Sequence, residues 1–193
     1  MSFKQFFPIS VGIAVLAFFL MLINFGSAKC ANYGYFFVIW VAFQAWAMYF
    51  MAGCTLQGGV KVMLGYTGGI TASIGVMELA GVLAPHLSFL GSATDAGNGA
   101  AAIAVLILVI PIICFERVPW FDFIPAWFVG SGAFFALSAI RGTGVGSGHL
   151  NVMGAELFSC LIGVCFGIVT VILRGKYEAS LKLDAPAEAP ADE

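Results

Sequence analysis

The sequence predicts an all-α fold, a polytopic membrane helical bundle of about six transmembrane helices. Three observations lead there. Hydrophobic residues make up 61% of the 193 residues and charged residues only 9%, with a mean hydropathy of +1.02, whereas soluble domains carry about 25% charged residues. The apolar residues are gathered into long runs near the ~20 residues that cross a ~30 Å hydrocarbon core. The runs leave no stretch long enough for a second, soluble domain. The lipid bilayer is therefore the first expected partner. A net charge of −2 gives no basic face for nucleic acid.

The runs lie at about 6–26, 35–54, 59–83, 98–115, 119–140 and 149–173. The first ends in Gly26-Ser27-Ala28 but is longer than the apolar core of a signal peptide, so it reads as a helix. The second carries Gln44 near its middle, where an unpaired amide is expensive. The third holds Gly65 and Gly69, and the sixth holds Gly163 and Gly167. Small residues at that spacing let helices approach closely, which places the third and sixth helices at a packed centre, within a subunit or between subunits. In the fifth, Pro125 removes a backbone donor and frees the carbonyl of Phe121. Connections are expected at 84–97 and at Gly142–Gly148, whose alternating glycines lack dinucleotide-binding spacing. A transmembrane domain over 1–175 is followed by an acidic tail over 176–193, most acidic and Pro-rich after Lys182 and expected to be disordered.

Six crossings put Lys4, Lys61, Arg117, Arg174, Lys176 and Lys182 on one side and Lys29 and Arg141 on the other. The positive-inside rule then sets both termini in the cytoplasm. The two halves echo each other. Phe43-Gln44-Ala45-Trp46 resembles Ile124-Pro125-Ala126-Trp127, and Ser73-Ile74-Gly75-Val76 resembles Leu161-Ile162-Gly163-Val164. An inverted 3+3 repeat, a plan that puts solute sites between the halves, is one reading of the echo. Chance similarity in biased apolar sequence is the other.

Ionisable groups inside spans are functional candidates by default. Glu78 falls near the outer end of the third helix, and Glu156 lies about 10 Å into the sixth at 1.5 Å per residue. Gln44, Glu156, Glu78 and Pro125 are the candidates for a substrate path. Glu156 and Gln44 are expected to face one polar passage. His86 and His149 fall at the outer face, either as a pH-sensitive vestibule or as ordinary interfacial residues. The five cysteines, Cys30, Cys54, Cys114, Cys160 and Cys165, form no CxxC pair or zinc spacing. No GxSxG, HExxH or paired catalytic acids occur, so neither an enzyme nor a cofactor is expected.

Three blocks carry a family resemblance: Trp46 through Gln57-Gly58-Gly59 with Lys61; Leu83-Ala84-Pro85-His86-Leu87 to Leu90-Gly91; and Phe123-Ile124-Pro125 with Gly130 onward. Together they resemble the bacterial inner-membrane family called domain of unknown function 1097, YcdZ-like, over roughly residues 8–172. The resemblance implies a polytopic cytoplasmic-membrane protein and supplies no catalytic residues. Two functions remain in view: a channel or facilitator for a small neutral solute or protonated weak acid, and a non-transporting subunit that scaffolds a larger complex. A homo-oligomer is compatible with both.

Overall fold

The computed structural model describes residues 2–29, 37–141 and 148–183. Six α-helices run through them: α1 Phe3–Lys29, α2 Ile39–Met51, α3 Leu56–Leu83, α4 Ala93–Cys114, α5 Ile124–Arg141 and α6 His149–Leu183. Short 3-10 turns at Ala84–Leu90 and Phe115–Arg117 lead out of α3 and α4. No strand occurs among the described residues. Five of the helices are long and apolar enough to cross a membrane, and α2, with 13 residues, is the short one.

Local chemistry sets the boundaries. The chain turns out of α2 through Gly53 and Cys54, both left-handed at φ +90° and +57°, and α3 starts where the Thr55 hydroxyl accepts from the Gly58 N–H at 2.9 Å. Ser92 and Asp95 form a reciprocal capping box on α4. The fifth helix begins at Ile124 rather than near 119, because Trp120 is held left-handed at φ 74° in the preceding turn. The sixth runs on to Leu183, so residues 176–183 of the expected tail are helical. An Arg174–Glu178 pair at 2.7 Å supports that extension. Residues 184–193 lie outside the described residues, as does the 142–148 connection apart from Gly148.

The two most extensive interfaces are α3 with α5 and α2 with α6. Gly65 faces Ala126, Tyr66 faces Gly130 and Ser73 meets Ser131, so α3 and α5 run in the same direction. Val38 meets Ser159, Ala42 and Ala45 meet Gly163, and Tyr49 meets Gly167, so α2 and α6 also run together. Against one another α3 and α6 are opposed, with Gly59 on Val164 at one end and Glu78 on His149 at the other. Exchanging α1, α2, α3 with α4, α5, α6 maps the α3–α5 interface onto α2–α6, leaves α3–α6 as its own image, and maps α3–α4 onto the much smaller α1–α6 contact. That is the contact pattern of an inverted repeat. Its register differs from the sequence echo. Gly65-Gly69-Ile70 corresponds to Gly163-Gly167-Ile168, while Gly75 rests near Leu108 of α4. Matching four apolar residues compared texture, whereas close approach is made by the glycine pairs.

The glycine pairs also mark different neighbours from those expected. Each opens its helix to the second helix of the other half, α3 to α5 and α6 to α2, rather than α3 to α6. The helices α1 and α4 lie at the periphery. Phe7, Phe18 and Phe19 of α1 and Leu106 and Ile110 of α4 are exposed, as suits lipid-facing helices.

Candidate functional site: a buried carboxyl beside a half-length helix

The helix α2 is about 20 Å long at 1.5 Å per residue, too short for a ~30 Å core. Its start is buried, with Phe37 and Val38 both nearly inaccessible. The Ser159 hydroxyl accepts from the Val38 N–H at 2.8 Å and donates to the Ala155 carbonyl at 2.7 Å. Ser159 lies about 15 Å along α6 from His149, so α2 begins about halfway through the bundle. A helix N-terminus carries partial positive charge. An interrupted or shortened helix ending at mid-depth is a recurrent way to build a solute site in a membrane.

Glu156 sits one turn above Ser159 on α6, with 0% exposure. Neither of its carboxyl oxygens has a hydrogen-bond partner among the described residues. It falls about two turns from Gly163 and so shares the stripe of α6 that faces α2. Tyr66 of α3 is equally buried, its hydroxyl also has no partner among the described residues, and it lies within electrostatic range of Glu156 and Cys160. An ionised carboxylate in such a place, without a counter-charge, is very costly. The site therefore calls for a proton, a cation or a hydrogen-bonding solute. Below it, Val41, Val62 and Val164 belong to an apolar core cluster.

Glu78 lies at the far end of α3 and is 43% exposed, with Oε1 3.0 Å from Nε2 of His149. Both are near one end of the bundle, as the sequence placed them. At the opposite end Lys61 bonds Asp122 at 2.7 Å. That hydrogen bond from the Lys61 ammonium is the main reason the Asp122 carboxyl is held below the usual carboxylate range.

Two candidates are not brought to the centre. Gln44 is exposed on α2, because Val41, Ala42, Ala45, Trp46 and Tyr49 occupy the single buried stripe of that helix and Gln44 projects from the other side. It therefore shares no passage with Glu156. Pro125 is exposed and lies in the first turn of α5, where a missing N–H costs nothing. The Phe121 carbonyl is not left free either, since the Trp127 indole donates to it at 3.1 Å. Thr67, Thr71 and Ser73 donate back to carbonyls four residues earlier. Ser73 also meets the Ser131 hydroxyl at 2.6 Å. Sequence reasoning missed Tyr66 and Ser159. A tyrosine far from either end of a long span, rather than at an interface, was the available signal for Tyr66. Ser159 had none, since only the short α2 gives it a role.

These features define a multi-pass, all-α membrane protein with a polar group buried at its centre. The chain belongs to the family described as protein of unknown function (DUF1097), whose profile matches residues 9–175. No curated protein and no solved structure matches it.

Proposed function

We propose that the protein is a facilitator for a small neutral solute or a protonated weak acid, acting in the bacterial cytoplasmic membrane with both termini in the cytoplasm. The observation that carries this reading is the fully buried Glu156, without a hydrogen-bond partner among the described residues, beside a helix that begins at mid-depth. A carboxyl, a tyrosine hydroxyl and a helix N-terminus together offer donors and an acceptor in apolar surroundings. That set suits a small hydrogen-bonding molecule better than a bare ion, whose desolvation would need several fixed charges. The exchange of interfaces between the halves supports movement of one half against the other around this centre. Flux into proteoliposomes over a panel of amides, alcohols and short-chain acids tests the reading. Glu156→Gln is expected to alter flux or its pH dependence while the protein still folds. Parent vesicles no faster than empty ones for every solute would overturn it.

A second reading, a membrane subunit that scaffolds a larger complex or a homo-oligomer, is favoured by one observation. Gln44 presents an amide on the outer face of α2, where lipid offers no partner. Gln44→Leu separates the two readings: transport leaves flux unchanged, whereas a scaffold loses assembly in detergent.

A further inference from the structure

We propose that protons reach Glu156 from one end of the bundle only, through the Glu78–His149 pair. The proposal deepens the reading of Glu156 as the functional centre. The side chain of Glu78, near the end of α3, is 43% exposed, and at that end of the bundle the route opens to the aqueous phase. Its partner His149 is the first residue of α6, with a side chain only 11% exposed. Nε2 of that ring is on Glu78, while Nδ1 is buried and has no hydrogen-bond partner among the described residues. His149 and Glu156 stand about two turns apart on one helix. Seven steps of 100° bring them to nearly the same face, about 10 Å apart along the axis. An exposed acid, an imidazole bonded to it through one nitrogen, and a buried carboxyl thus follow one another inward.

Imidazole suits this place because it takes a proton on one nitrogen and releases one from the other. A proton passes from the Glu78 carboxyl to Nε2. The proton on Nδ1 then leaves through bridging water to the Glu156 carboxylate, which becomes the neutral acid. The ring is left with its hydrogen on Nε2 and Glu78 as the carboxylate. Water at the surface returns a proton to Glu78, and tautomer exchange through water restores the ring hydrogen to Nδ1. The net change is one proton moved from the surface to Glu156, with no bond to carbon made or broken. Water is the only co-reactant, and about 10 Å needs two or three molecules at hydrogen-bond spacing.

The surroundings make the route one-sided. The titratable groups around Glu156 are Cys160 on its own helix and Tyr66 on α3, with His149 and Glu78 beyond them. From α5 comes Arg141, at the same end as His149 and engaged in an interaction of its own. From α2 the buried residues nearest the start are Val38 and Val41. Toward the other end Val62, Ala126 and Val164 fill the core, and Lys61 is already paired with Asp122. Phe134 packs against the His149 ring with centroids 6.1 Å apart.

Time-resolved infrared spectroscopy after a pH jump tests this on the full chain in lipid, without any solute. The carbonyl band of a buried carboxylic acid is expected in the parent and absent in Glu156→Gln. His149→Gln keeps an amide to bond Glu78 but cannot relay a proton. It should slow the appearance of the band about 100-fold, the low end of what a positioned acid–base group contributes, without moving the equilibrium titration. Glu78→Gln should slow it less. Added imidazole should restore the rate in His149→Ala, which a purely structural role does not explain. An unchanged rate in His149→Gln, or no titrating band assignable to Glu156, overturns the route. Because no solute enters the assay, its failure is distinct from a failure of the flux experiment.

Discussion

Replacing Gly65 with alanine puts a methyl group where two helices already touch. Built on the backbone, its Cβ lies 2.5 Å from the Cβ of Ala126, with the Ala126 carbonyl carbon at 3.2 Å and the Trp127 nitrogen at 3.3 Å. Carbon atoms settle at about 3.5–4.0 Å, so α3 and α5 must part by about 1 Å or distort. Overpacking of this kind costs about 1–3 kcal/mol, against which alanine's better helix propensity returns about 1 kcal/mol. The size swap Gly65→Ala with Ala126→Gly removes the worst contact and cancels the propensity difference. It should lie within about 0.5 kcal/mol of the parent, as a coupled pair rather than two additive changes. The corresponding swap in the other half should behave differently. A Cβ on Gly163 meets the backbone carbonyl of Ala42 as well as the Ala45 Cβ at 2.9 Å, and Ala45→Gly cannot move that carbonyl. Gly163→Ala with Ala45→Gly should stay destabilised by about 1 kcal/mol or more. Unfolding in mixed micelles, followed by tryptophan fluorescence, measures all of these. Gly154→Ala, which meets nothing within 4 Å, is the control. Equal rescue by both swaps, or a Gly65→Ala protein as stable as the control, would refute the close-packing argument.

Ser159→Ala leaves the buried Val38 N–H without its acceptor and should cost about 1–3 kcal/mol, read in the same unfolding assay. The Asp122 carboxyl is held low by Lys61, so its contribution is complete above the ordinary carboxylate pKa and is lost as pH falls through the lowered one. Below about pH 4 parent stability should therefore decline more steeply than that of Asp122→Asn, and parallel curves would remove Asp122 from the account. In a cysteine-free background, Asp95→Cys should react with an impermeant thiol reagent in intact cells. Labelling that requires lysis reverses the orientation.

The number of helices and most of their limits were legible because apolar run length is a direct consequence of crossing a bilayer. The third and sixth runs, for example, start or end within a few residues of α3 and α6. Two elements misled for identifiable reasons. The second run is about 20 residues long, yet α2 occupies only Ile39–Met51. Hydropathy reports which residues avoid water, not whether they are helical. Pro125 looked like a break inside a helix, and only the left-handed Trp120 before it shows that α5 had not yet begun. At the site, Glu156 stood out because an acid in an apolar span is costly wherever it points. Its supposed partner Gln44 turned outward because which side of α2 is buried depends on Gly163 and Gly167, more than a hundred residues away. Pair spacing within one helix announced close approach correctly but did not name the neighbour.

That distance has a consequence for how the protein is made. The hydrogen bond that holds the start of α2 joins residues 121 positions apart. At about 5–20 residues per second, the ribosome needs roughly 6–24 s after Val38 to reach Ser159. During that interval α2 is too short to span alone and lacks the helix against which most of it packs. The insertion machinery must shelter it, or let it rest at the membrane surface, until α6 arrives. The most delicate step in biogenesis is thus the late docking of an early helix, and it coincides with completion of the Glu156 centre.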